Sequence, residues 1–372
     1  LHSLIANGTG FAGGMDMKKT SDPLRVAIIG AGRIGCRRAA VISASRDARV
    51  VAVADTDLAR AAALASACSC PALSNWEAAA VARDVDAVVV ATTHDWLARV
   101  SLTALEAGKH VLCEKPMARH PAEAAPVVAA AEQRGLVLAA GFNHRCHPAI
   151  RRARELAAAG AIGCLLWARC RYGHGGRAGY EREWRSNRER AGGGELLDQG
   201  IHALDLFAWL FGEFVEVAAF LQTAFWPAEV EDNAFVWLRT AAGQVASLHA
   251  SWTQWRNLFS LELCGSEGYL TAEGLGGSYG AERLTIGRRA SDFGPPSEQV
   301  IAFTGGDSSW ADEWEAFVRA VHQGTPPTAT GRDAMAALRL AEAAYRAAAR
   351  REPVTLGGTG ATVSVARVLA GD

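Results

Sequence analysis

The run Leu24-Arg-Val-Ala-Ile-Ile29, followed at once by Gly30-Ala-Gly32-Arg-Ile-Gly35 and an Ala/Arg stretch of helical character, constrains this chain more than any other feature. A continuous apolar, β-branched run reads as a strand buried on both faces, which calls for a parallel sheet with helices on either side. Glycines at this spacing serve three needs: a tight turn, backbone brought close to a phosphate, and a helix packed hard on the sheet. Short runs at 48–54 and 87–91 repeat the strand pattern, and a helix is expected over 100–107. A strand at 110–113 then precedes Glu114-Lys115-Pro116, and a helix over 122–133 leads into a strand at 136–140. Strands alternating with helices imply a doubly wound α/β fold.

The length of 372 residues, set against about 150 per domain, leaves room for two domains. After about residue 143 the texture changes: strands are expected at 165–172, 216–222, 233–239, 245–252 and 258–263, with turns that suggest an antiparallel meander. The main helix of this second part is expected over 196–209, and closing helices over 312–350, broken at Gly324-Thr-Pro-Pro327. The division drawn is a loose leader (1–23), a nucleotide-binding domain (24–143) and a substrate and oligomerisation domain (144–372) whose last helices pack back on the first.

Composition narrows the function. Half the residues are hydrophobic and 21% are charged, which excludes a disordered polyelectrolyte, and no apolar run reaches membrane-spanning length. With 38 Lys and Arg against 39 Asp and Glu, no excess charge draws the molecule to nucleic acid. Eight scattered cysteines without CxxC spacing point to a reduced, cytoplasmic chain, and the Gly-rich leader lacks a signal-peptide core. His144 and His147 in Asn143-His-Arg-Cys-His147 lack a third ligand and a general-base Glu, so no metal is expected and the segment reads as hinge and cleft lining.

Asp55 closes the second strand, 25 residues beyond Gly30, where a carboxylate can bind ribose hydroxyls and repel a 2′-phosphate. That favours NAD over NADP, although Arg33 and Arg60 leave NADP open. Asp198 and His202, at i and i+4 of the expected helix, face one side and can form a carboxylate–imidazole pair.

Three motifs stand in order: Gly30 to Gly35, Glu114-Lys115-Pro116, and Gly192-Gly-Gly-Glu-Leu-Leu-Asp198-Gln-Gly-Ile-His202-Ala-Leu-Asp205. Together they resemble the glucose-fructose oxidoreductase, inositol dehydrogenase and rhizopine-catabolism (Gfo/Idh/MocA) family, from Leu24 onward. The resemblance implies an N-terminal Rossmann domain and a C-terminal α/β domain with an open, mostly antiparallel sheet, often used to form homodimers or homotetramers. It also implies NAD(P)-dependent oxidation or reduction at a carbinol carbon of a sugar or cyclitol, and the expected substrate is a sugar, amino sugar or cyclitol. The family's catalytic lysine, aspartate and histidine fall on Lys115, Asp198 and His202.

His202 has the pKa range of a reversible general base, and Lys115 can bring an ammonium to a developing alkoxide. Asp205, one turn further on, is expected either to bind substrate or to orient His202. The cofactor side is expected to comprise Gly30, Gly32, Arg33, Ile34, Gly35 and Asp55, then Thr92, Thr93 and His94, and finally Glu114, Lys115 and Asn143. At Thr92-Thr93-His94 the chain departs from the family's Thr-Pro-x-x-x-His. The substrate side is expected to add Tyr172, His174, Arg177, Trp184 and Arg185, from a Gly- and Arg-rich loop suited to a lid. Trp252 and Trp255 can stack on a sugar ring or pack the sheet. Two other readings stay open: an NADPH-dependent ketoreductase of a nucleotide-linked sugar, and a non-catalytic NAD sensor.

Overall fold

Apolar strands and their crossover helices alternate through the first half of the computed structural model, which describes residues 22–357; the expected leader lies outside the described residues except for its last two. In chain order they are β1 (Leu24–Ile29), α1 (Arg33–Ala44), β2 (Ala48–Ala54), α2 (Leu58–Cys68), β3 (Ala72–Leu73) and α3 (Trp76–Val81). There follow β4 (Ala87–Val90), α4 (His94–Glu106), β5 (His110–Glu114), α5 (Pro121–Arg134) and β6 (Leu138–Gly141). All pair in parallel, in the order β3-β2-β1-β4-β5-β6. The strand order reverses between β1 and β4, which opens a crevice at their carboxyl ends.

Local chemistry sets the boundaries. Asp57 caps α2 through the amides of Ala59 and Arg60, and Asn75 caps α3 in the same way. The strand expected from residue 136 begins at Leu138, because Gly135 adopts the left-handed conformation and Leu136 N turns back to Ala131 O.

The second half contains α6 (Pro148–Ala158), β7 (Leu165–Gly173), α7 (Arg188–Ala191) and, after a π turn at Leu196–Gly200, α8 (Ile201–Phe211). Next come β8 (Phe214–Gln222), β9 (Asn233–Thr240), β10 (Val245–Ser251), β11 (Leu258–Gly265), β12 (Gly268–Glu273), β13 (Glu282–Arg288) and β14 (Ser297–Phe303). The chain closes with α9 (Ser309–Gln323), α10 (Gly331–Arg350) and β15 (Val354–Thr355).

The expected meander needs correction. The nine strands run β14-β13-β12-β11-β7-β10-β9-β8-β15, with β7 parallel to β10 at the centre and every other pair antiparallel. The long excursion through α7 and α8 lets the chain return after β7 by a crossover rather than a hairpin. Strands β12 to β14 escaped the sequence reading because charged and polar residues interrupt their apolar runs, as in Ser297-Glu-Gln-Val-Ile-Ala-Phe303.

One face of this sheet is buried by α8 and α10, which explains why α8 is apolar nearly all round. The closing helices also reach the parallel sheet: Trp314, Phe317 and Val318 of α9 share a core with Val26, Ile28 and Val89. Across that contact the buried Arg38 guanidinium pairs with Glu114 and Glu313, at 2.6 Å each. No helix among the described residues is long and apolar enough to cross a membrane, and all eight cysteines are free thiols.

Candidate active site

The cofactor side is made mainly of backbone. Gly30 has φ +100°, and a Cβ there would lie 2.4 Å from Ala91 O; one on Gly35 would lie 1.8 Å from Gly30 O. A Cβ on Gly32, by contrast, would meet nothing within 4 Å. Protein contact therefore requires two of the glycines, while the third faces open space beside the N-terminus of α1. No side chain caps that helix and no acidic residue occupies its first turn, so its amides are available to an anion. The fit to a dinucleotide pyrophosphate is direct.

Asp55 is held against this turn. Its Oδ2 accepts from Ala31 N at 2.7 Å and its Oδ1 from Asp57 N at 2.8 Å. Arg60 is engaged by Asp55 and Asp57, at 3.2 and 3.4 Å, while Arg33 is exposed at the head of α1 with Ile34 half-buried behind it. Thr92 and Thr93 follow β4 into the start of α4, where Thr92 Oγ1 donates to the Thr93 carbonyl.

Three expected cofactor contacts have other partners. Glu114 accepts from Arg38 Nε at 2.7 Å and belongs to the buried ion cluster. Asn143 donates to Ser309 Oγ at 2.8 Å, and its position after β6 makes it a tie to α9. His94 is buried with Nδ1 2.8 Å from Ala191 O and its ring edge-on to Trp184 at 4.7 Å. Burial, aided by the Lys115 charge, pushes its pKa down to about 3.

Where the substrate side is expected, β5, the π turn, α8 and the loop after β7 converge. Lys115 Nζ donates to Asp198 Oδ1 at 2.7 Å and also to the Asp198 carbonyl; Arg185 Nε donates to Asp198 Oδ2 at 3.1 Å. Burial alone would raise the Asp198 pKa, but the Lys115 and Arg185 charges overcome it and hold the carboxyl well below the usual carboxylate range.

The carboxylate–imidazole pair expected between Asp198 and His202 does not form. Two cations claim both oxygens of Asp198, and His202 Nδ1 is buried without a hydrogen-bond partner. The His202 ring instead stacks on His144, with centroids 3.9 Å apart and planes at 25°, and meets the edge of Phe142 at 5.6 Å. Burial first, and then the Lys115 charge, drives its pKa well below the ordinary histidine value, so the imidazole is neutral. Asp205 neither reaches the cleft nor orients His202: Arg145 grips it in a buried bidentate pair at 2.8 and 2.6 Å.

The loop divides. Trp184 and Arg185 turn inward, stacked on each other at 4.4 Å, while Arg177 turns outward to Glu183 at 2.7 Å. His174 Nδ1 accepts from Gly176 N at 2.8 Å and shapes its own turn. Tyr172 is buried between His144 and Tyr279, with ring centroids at 5.1 and 5.6 Å. Trp252 is fully buried under Tyr180, so it packs the core, whereas Trp255 is 63% exposed and lies against Phe225.

Sequence reasoning missed Tyr279, whose hydroxyl accepts from Gln199 Nε2 at 2.8 Å, and the contact of His144 with His202. Tyr279 sits in a glycine-rich loop far along the chain and carries no local signal. His144 stood in a string already noted for its histidines, but only the fold shows that it meets His202.

Family models match both halves of this arrangement: the oxidoreductase family's NAD-binding Rossmann fold over residues 24–142 and the Gfo/Idh/MocA C-terminal domain over residues 150–271. The chain belongs to the Gfo/Idh/MocA oxidoreductase family. Inositol 2-dehydrogenase of Rhizobium meliloti (strain 1021) is 29% identical over 339 residues, 90% of this chain and 99% of that protein. The 1,5-anhydro-D-fructose reductase of Ensifer adhaerens is 31% identical over 280 residues, 72% of this chain and 78% of the relative. Among solved structures, GenD2 from gentamicin A biosynthesis, in complex with NAD, superposes with a TM-score of 0.79 at 28% identity, covering 96% of this chain and 100% of that one. This Gfo/Idh/MocA member is an oxidoreductase with an NAD-binding Rossmann domain, joined to a C-terminal mixed sheet.

Proposed function

We propose that this enzyme transfers hydride between NAD and a carbinol carbon of a sugar, amino sugar or cyclitol, with His202 as general acid/base. The observation that carries the reading is the meeting of Lys115, Asp198 and His202 at the carboxyl edge of the parallel sheet, beside a glycine turn shaped for a dinucleotide. The substrate class follows the relatives, named for inositol and an anhydro-sugar.

NAD, when bound, supplies the two-electron acceptor, C4 of its nicotinamide. With Nδ1 sealed inside, His202 exchanges the hydroxyl proton through Nε2, and its neutral state makes it ready to accept. The Lys115 ammonium stabilises the oxygen as negative charge develops there, and Asp198 with Arg185 fixes where that ammonium sits. Asp55 binds the ribose hydroxyls and disfavours a 2′-phosphate.

The test is nucleotide reduction on a panel of free sugars, amino sugars and inositols, with NAD and NADP in parallel. NADH formation with one substrate group is expected. Turnover confined to NADPH and a nucleotide-linked ketosugar, or NAD binding without turnover, would overturn the reading.

The same proposal includes a homo-oligomer formed through the outer face of the nine-stranded sheet. Trp167, Phe220 and Trp237 are 40%, 70% and 43% exposed on that one face, and Val245 lies beside Trp167 in register. A second copy covering them makes a homodimer or homotetramer. Sedimentation should show an oligomer that Trp237→Glu dissociates; a monomeric parent protein would contradict it. Eight free thiols fit a reducing, cytoplasmic setting.

A further inference from the structure

A catalytic histidine is commonly fixed by a carboxylate or carbonyl on its second ring nitrogen. Here His202 Nδ1 has no such partner: the Asp198 carboxylate is claimed by two cations and the Asp205 carboxylate by Arg145. Something else must hold the ring. The turn after β6 (residues 143–146) supplies it: His144 is buried and lies face to face with His202 at 3.9 Å. His144 is itself braced by the edges of Phe259 and His147, at 5.7 and 5.6 Å, and His147 is tied to Glu282 at 3.1 Å. Its Nε2, like His202 Nδ1, is buried and unpartnered, so neither nitrogen explains the contact; the ring faces do.

We propose that His144 is a positioning residue for His202, a flat wall that fixes the imidazole plane and keeps water from its inner nitrogen. The inference rests on His202 being the acid/base group. The titratable groups around His202 are Lys115 from the end of β5, Asp198 from the π turn, His144 and His147 from the turn after β6, and Tyr172 from β7. Desolvation is the largest cause holding His202 neutral, and the His144 ring forms part of that dry wall.

The test compares His144→Ala with His144→Phe. In His144→Ala, kcat should fall ~10–100-fold, the cost of a misplaced reacting group, with NAD affinity unchanged. Water admitted to Nδ1 should also move the acid limb of kcat/KM up by ~1 pH unit or more. Restoring a flat ring, His144→Phe should return kcat to within several-fold of the parent and leave the limb in place. If the alanine variant does not fold, His144→Leu serves: it fills the space without a flat face, so kcat should fall while the limb stays put. An alanine variant with unchanged kcat and limb overturns the proposal. So does a phenylalanine variant as impaired as the alanine one, which would make His144 a proton carrier. Full activity in His202→Ala would instead sink the acid/base reading itself.

Discussion

The two sides of the cleft are built from different material. The cofactor side is backbone: a glycine turn, helix amides and one carboxylate held by amides, all within residues 30–57. The proposed substrate side is side chain, assembled from β5, the turn after β6, β7 and its loop, the π turn, α8 and the loop that carries Tyr279. A backbone site is encoded locally, whereas a side-chain site exists only once distant segments have packed. Charge pairing at this side follows the same division, since Asp198 takes Lys115 from 83 residues away and Arg185 from 13 residues away.

The largest break in that comparison comes from the glycines. Gly35→Ala drives a Cβ into Gly30 O and should cost about 3 kcal/mol or more in a denaturation experiment. Gly32→Ala meets only open space, so it should leave the melting temperature unchanged while weakening NAD binding. Equal effects on stability would mean that the turn is not divided between packing and ligand.

The buried histidines around the cleft should show themselves in acid. His94, His144 and His202 are neutral in the fold, each with its pKa pushed below the ordinary 6.5, His94 to about 3. In this range the unfolded chain binds more protons, so stability is complete above pH 6.5 and lost as pH falls. Each histidine contributes up to about 1.4 kcal/mol per pH unit. Asp198, held low, adds a further loss only below its ordinary range near 4. Urea midpoints that stay level from pH 7 to 5 would contradict this set of neutral histidines.

The smallest effect belongs to Asp55→Ala, for which NAD should bind ~10-fold more weakly, about one good hydrogen-bonded contact, with a narrower preference over NADP. Titration of each nucleotide by fluorescence checks it.

Legibility in the sequence follows the same line. The parallel strands, the glycine turn and Asp55 were readable because apolar periodicity and glycine spacing act within a few residues. Lys115, Asp198 and His202 could be named as candidates, but not how they pair: an i, i+4 spacing says which residues share a helix side and nothing about Arg185, which takes the second oxygen of Asp198. Asp205 was misread for the same reason, because Arg145, its partner, lies 60 residues away. Glu114 belongs to a motif that pointed to the cofactor, yet burial beside Arg38 decides its partner.

The most direct measurement is NADH formation by His202→Ala on whichever sugar or cyclitol the parent enzyme oxidises, with NAD affinity measured on the same sample. The account predicts turnover ~10²–10⁴-fold lower with NAD binding intact. Turnover within a few-fold of the parent would remove His202 from the chemistry and leave the substrate side without its acid/base group.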